Sequence, residues 1–216
     1  MNVLAFDCAV GPTSVALWRD GVLAARADDA RPQGQAEALV PMIGGVLTRG
    51  GIAPVGVDRI AVTLGPGSFT GVRIAVSAAR GLGLATGRPV FGLSTLEVMA
   101  ACLAPDERPT LVAIDARRGE VYAQLFAPDG SPMGPPQARS LDGIENLLPA
   151  GPLRLAGSGA PLVAERTGRH DLAMVEIAAP DAAVLAALVA ARPDAMPPPP
   201  EPIYLRAPDA KLPAAS

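Results

Sequence analysis

Two stretches of this chain, half its length apart, follow the same plan. "NVLAFDCAVGPTSVALWRDG" at 2–21 is an apolar run ending in Asp7, a Gly-containing turn, an alternating run and an Asp-Gly turn. "TLVAIDARRGEVYAQLFAPDG" at 110–130 repeats that order, with Asp115 and Gly130 in the places of Asp7 and Gly21, an offset close to 108 residues in a chain of 216. Short apolar runs bounded by Asp-Gly turns read as strands joined by hairpins. A looser echo joins "IAVTLGPGSFTGVRIA" to "LRLAGSGAPLVAERTG" at 153–168, each a strand, a Gly-Ser loop and a helix. Any alternating chain gives some echoes of this kind, but the shared register of the Asp and Gly positions favours duplication. The expectation is an α/β protein of two βββαβα-type halves, 1–105 and 106–216, facing each other across a cleft.

Within the first half, strands are predicted at 2–7, 13–18 and 22–27, a β-meander. Residues 35–49 carry a helical stripe of Leu39, Ile43, Val46 and Leu47, widened by Ala36, Val40 and Met42, and Gly50-Gly51 supplies the stop. "RIAVTL" is a further strand, and a helix is predicted over 71–86. "RPVFGL" is a short strand; the helix after it has Ser94 as N-cap and Glu97 three residues on, a capping box. A last Ala-rich helix is predicted at 181–192. "PDAMPPPPEP" at 193–202 is held extended by its prolines, so 193–216 reads as a tail whose "IYLRAPDAK" is apolar enough to dock back on the body.

Composition narrows the function. The net charge is −3 and only seven residues are aromatic, so the chain lacks both the basic footprint and the stacking platforms of a protein that grips nucleic acid alone. Cys8 and Cys102 are far apart in apolar sequence, which fits a reducing cytosol. The first residues carry no basic segment of a leader peptide. The longest apolar stretch, 71–87, is interrupted by Arg73 and Arg80, so no membrane span is expected.

The chemistry-bearing candidates are few. Gly65, Gly67 and Gly71 permit close backbone approach, and Ser68 or Thr70 can cap the following helix, whose N-terminus can accept an anion. The backbone donors of the hairpin after Asp7, around Gly11, can also cradle phosphate. No lysine accompanies them, and the pattern GxxxxGK[ST] is absent. Asp7 and Asp115 can hold Mg²⁺ between them or merely cap their own turns, and the second reading is favoured. A lone histidine, His170, cannot make a two-His metal site, and Ser68 has no His beside it in the sequence. Hence no catalytic residue and no metal ligand is predicted.

The helix 71–86 has apolar residues all round, as has 35–49, and such helices bury more than one side. An association surface is therefore expected through Leu39, Val40, Ile43, Val46 and Leu47 of the first helix and Val72, Arg73, Val76, Ala79 and Arg80 of the second.

A duplicated fold of this kind is the actin-like or sugar-kinase (ribonuclease H-like) architecture. "LAFDCAVGPTSVALW", "GPGSFTGVR" at 65–73, "IDARRGEVY" at 114–122 and "PIYLRAPDAK" at 202–211 resemble the TsaB (YeaZ) family, in the right order over nearly the whole chain. The resemblance implies a cytoplasmic subunit of the apparatus that makes threonylcarbamoyladenosine beside the tRNA anticodon. It implies pairing of the first two helices with the catalytic paralogue TsaD and a third partner in the ATPase TsaE. The exposed apolar face leads us to expect homodimers when the chain is alone, and its acidic charge tRNA contact only through the complex. The resemblance implies no cofactor for this chain by itself, with ATP or ADP and Mg²⁺ conceivable at a shared interface. This chain has Cys8 where the family usually has Thr, and Gln35-Ala36 where it often has His-Ser. The competing readings are a stand-alone nucleotide-binding ATPase or kinase-like enzyme and, on fold analogy alone, a peptidase.

Overall fold

A computed structural model describes residues 1–31 and 34–206. The end of the expected tail, 207–216, lies outside the described residues. β1 (Asn2–Asp7), β2 (Thr13–Arg19) and β3 (Val22–Asp29) form an antiparallel meander, and β4 (Arg59–Thr63) and β5 (Val90–Leu93) join β1 in parallel. The sheet order is β3-β2-β1-β4-β5. The β2–β3 turn uses Asp20 and Gly21 at φ 49° and 89°, the left-handed pair that a tight hairpin needs.

The second sheet repeats the first. β6 (Thr110–Arg117), β7 (Glu120–Phe126) and β8 (Gln137–Ser140) form the meander, and β9 (Leu153–Ala156) and β10 (Leu172–Val175) run parallel to β6. Its order, β10-β9-β6-β7-β8, matches the first sheet position for position when read from the other edge.

Alternation along the strands assigns the layers. Leu4, Phe6, Val15, Leu17, Ile60 and Val62 share one face of the first sheet with α1 (Gln35–Arg49) and α2 (Phe69–Thr86). Val3, Ala5, Ala16 and Ala61 face the other way, toward α5 (Ala182–Ala190). Those alanines, with Ala182 and Ala186 opposite, let helix and sheet approach closely. In the second sheet Leu111, Ala113, Leu153 and Leu155 meet α4 (Ala160–Thr167). α3 (Thr95–Ala101) serves both halves: Val98 packs with the first sheet's cluster, Leu96 and Met99 with the second's. α5 thus comes from the second half of the sequence but completes the core of the first. Arg59 holds it there, donating to the Val189 and Arg192 carbonyls at 2.8 Å each, where the helix dipole is negative.

Two helix starts differ from the sequence expectation. α2 begins at Phe69, two residues early, because the Ser68 hydroxyl accepts the Gly71 N–H. Ser94 caps α3 through Leu96 N–H, but Glu97 accepts from Arg192 rather than closing a capping box.

Candidate functional site

Four loops meet between the halves and enclose a cleft of about 490 Å³. Ala9 and Val10 follow β1; Gly67 and Ser68 precede α2; Ile114, Asp115, Ala116 and Arg117 end β6; Tyr122 lies on β7 and Ser158 precedes α4. Each Gly loop is tied to its half's first strand, the first at the turn just after β1 and the second within β6. Ser68 N–H donates to Ala9 O at 2.7 Å, and Gly159 N–H to Ala113 O at 2.9 Å. The approach is tight enough to demand glycine: a Cβ on Gly71 would sit 1.9 Å from Cys8 O, and one on Gly157 2.3 Å from Ala113 O.

Of the six residues expected near phosphate, Gly67 and Ser68 line this cleft. Thr70 is exposed on the first turn of α2, Gly11 lies against Ala179, and Gly65 lies under the Ile203 carbonyl. Asp7 is wholly buried. One of its carboxylate oxygens accepts from the Thr63 hydroxyl and from Ala9 N–H, and the other has no partner. Burial pushes its pKa up to about 6, against the pull of the Thr63 and backbone hydrogen bonds. Asp115 is different: it accepts Arg117 N–H at 2.8 Å and pairs with the Arg117 guanidinium at 3.2 Å. The two aspartates do not form a cation pair, since Asp7 lies behind the cleft wall and Asp115 caps its own turn. Among the described residues no three His, Cys, Asp or Glu side chains gather as a metal site. Among the described residues, the cleft lining holds one carboxylate, Asp115, and no lysine. Cys8 is buried, and burial with the neighbouring Asp7 charge pushes its thiol up to about 12. His170 is exposed in a bend after α4.

Little in the sequence marks the turn at 117–119. Arg117, Arg118 and Gly119 stand at φ 65°, 57° and 74°, three left-handed residues in a row at the cleft mouth. Gly119 was the one visible signal.

The expected association surface needs correction. Leu39, Ile43, Val46, Leu47, Val72, Val76 and Ala79 are buried in this chain's own core. The reason is geometric: α1 and α2 lie side by side on one sheet, so each spends its extra apolar width on the other and on the sheet. A charge at Ile43 or Val76 would disrupt the fold before it tested a partner. Val40, Arg73 and Arg80 do face outward, Val40 at 65% exposure. Two exposed apolar side chains of α2 were not among the expected surface residues, Leu84 at 89% and Phe69 at 53% exposure. Leu84 lies three turns beyond Arg73 on the same helical face, a spacing that would have found it.

The outer face of these helices is otherwise small. Ala36, Gly44, Ser77, Gly81 and Ala85 are all exposed. Gly44 and Gly81 are mid-helix glycines, and among the described residues nothing lies within 4 Å of where a Cβ would stand.

Two five-stranded sheets of one topology, closing on a cleft through paired Gly loops, define the actin-like and sugar-kinase class of α/β proteins. The fold matches an activator of 2-hydroxyisocaproyl-CoA dehydratase from Clostridium difficile, at TM-score 0.52 and 9% identity over 88% of this chain and 94% of that one. A much nearer match is a Pseudomonas aeruginosa crystal structure described as similar to peptidase YeaZ, at TM-score 0.83 and 30% identity over 95% of this chain and 99% of that one. The family model for TsaD, tRNA N6-adenosine threonylcarbamoyltransferase, matches residues 33–190. Escherichia coli TsaB, a tRNA threonylcarbamoyladenosine biosynthesis protein, is 42% identical over 124 residues, 56% of this chain and 53% of that protein. That match spans about half the length of the curated relative. The chain belongs to the TsaB (YeaZ) family. Among the described residues no helix is long and apolar enough to cross a membrane.

Proposed function

We propose that this protein is a non-catalytic, cytoplasmic partner subunit that pairs with a TsaD paralogue for threonylcarbamoyl transfer to the adenosine beside the tRNA anticodon. The observation that carries the reading is the pair of exposed mid-helix glycines, Gly44 and Gly81. Each costs its helix roughly 1 kcal/mol relative to alanine, and among the described residues nothing lies within 4 Å of the open Cβ position. Exposed Val40 and Leu84 lie on the same outer layer. Glycines flanked by exposed apolar side chains allow a second pair of helices to approach closely. Membership of the TsaB family and the match to the TsaD family model support a TsaD paralogue as the partner. The buried Asp7 and self-paired Asp115 support a role without chemistry of its own.

Without that partner, the same face joins two copies of this chain. A TsaE-type ATPase and tRNA meet the complex through the larger subunit, in keeping with this chain's net charge of −3. Any ATP or ADP is shared at the interface. Light scattering of the purified chain, alone and mixed with its TsaD paralogue, with and without ATP and Mg²⁺, tests this. A one-to-one complex is the expected result. If the mixture shows no complex, the partner reading fails; tight ATP binding by this chain alone would favour the enzyme reading.

A further inference from the structure

The segment from Pro200 to Arg206 touches both walls of the cleft. It leaves α5 on the first half and runs back along the outer side of α2. Arg80 donates twice to the Pro200 carbonyl, at 2.9 and 2.6 Å. Ile203 N–H donates to Leu64 O at 2.7 Å, and the Ile203 carbonyl lies 3.1 Å from where a Gly65 Cβ would be. One step on, the Tyr204 hydroxyl accepts from Arg73 Nε at 2.8 Å. The Arg73 guanidinium lies 3.5 Å over the Phe69 ring, and the Phe69 and Tyr204 rings are 5.6 Å apart. These contacts grip the loop and helix start that carry Gly67 and Ser68, the first cleft wall.

Arg206 then crosses to the second wall. Its guanidinium donates to the Ala116 carbonyl at 3.2 Å, pairs with the Glu120 carboxylate and lies 6.0 Å from the Tyr122 ring centroid. Ala116 and Tyr122 both line the cleft. The geometry is consistent along the whole run. Arg80 and Arg73 are two helical turns apart, roughly 10 Å, and four extended residues from Pro200 to Tyr204 cover a similar span.

We propose that residues 200–206 are a strap that sets how far the two halves open at the cleft. It is fastened to the first wall by Arg80, Leu64 and the Phe69–Arg73–Tyr204 stack, and to the second by the Arg206 ion pair. Charge-assisted hydrogen bonds are the stronger kind, so Arg206 is the fastening whose loss opens the cleft most. The inference rests on contacts within the chain and stands apart from the pairing proposed above.

Two spin labels test it in the full chain. Val22→Cys on β3 and Ser131→Cys beyond β7 are exposed positions in opposite halves, away from the outer face of α1 and α2; Cys8 is buried, and Cys102→Ala removes the other native thiol. The strap predicts a single narrow distance distribution that broadens at least twofold when Tyr204→Ala and Arg206→Ala are added. Amide exchange at 67–70 and 117–119 should then rise about tenfold while β1, β4 and the body of β6 at 110–114 stay protected. If the double variant folds poorly, Arg206→Gln alone is read, with the same signs and a smaller change. An unchanged distance distribution overturns the strap. So does exchange that rises equally through all strands, which would mark the segment as plain stabilisation.

Discussion

The two halves of this molecule solve one folding problem and diverge in what they add to it. Each places a three-stranded meander and two parallel strands in the same order, and each seals its first strand with a glycine-bearing loop. The first half then carries α1 of 15 and α2 of 18 residues on its outer face. The second has α4 of eight residues and, where α1 would stand, only a 3-10 turn at Ile144–Leu147. Their aspartates diverge too: Asp7 is sealed in, while Asp115 pairs with Arg117 at the cleft mouth. The repeated part is what the fold needs, and the proposed pairing draws on the part that differs. The first half offers a helical surface, and the second contributes a charged cleft wall.

The glycine loops test the shared part most severely. Gly71→Ala forces a Cβ against the Cys8 carbonyl, and Gly157→Ala does the same at Ala113 with φ +95° as well. Each should lose about 3 kcal/mol or more in urea unfolding, or fail to fold. A cost below about 1 kcal/mol for one of them would break the equivalence of the halves.

The aspartates test the divergent part. Asp7 has a folded pKa near 6 against an ordinary 3.8, so the native state holds its proton more tightly than the unfolded chain does. Stability is therefore fullest below about pH 4 for this group and falls as pH rises to about 6, by about 3 kcal/mol. Exposed pairs such as Asp106 with Arg108 pull the other way, since Arg108 holds the Asp106 carboxyl below its usual range. The difference between wild type and Asp7→Asn cancels them. It should shrink in wild type's favour as pH falls from 7 to 4, because the variant lacks the ionisation penalty. A pH-independent difference would refute the burial argument. Asp115→Asn, at a solvated turn, should shift stability by no more than about 1 kcal/mol.

The smallest effect concerns the outer helices. Gly81→Ala should stabilise the isolated chain by about 0.5–1 kcal/mol, read as a raised melting temperature. No gain would mean that the glycine already serves this chain by itself.

Asp7 and Asp115, with Gly21 and Gly130, made the duplication legible because strand alternation and Asp-Gly turns are local signals. Ser68 and Ser94 were readable as caps for the same reason. Layer assignment was not legible. The stripe of Leu39, Ile43, Val46 and Leu47 looks the same whether it meets a sheet or a partner, and only the tertiary arrangement shows which. The placement of α5 on the first sheet, and the reach of Arg206 to Glu120 across 86 residues, are long-range pairings with no local mark. The left-handed Arg117–Arg118 pair defeats sequence reading because arginine has no preference for that conformation.

The central claim is that the outer face of α1 and α2 docks the TsaD paralogue. Its most direct test is the double variant Gly44→Leu, Gly81→Leu in a binding titration with that paralogue, alongside its own thermal melt. The account predicts a chain at least as stable as wild type whose pairing is weakened about 100-fold or more, since each leucine overfills a close helix contact. Unchanged affinity in a folded variant would contradict it and move the interface off these helices.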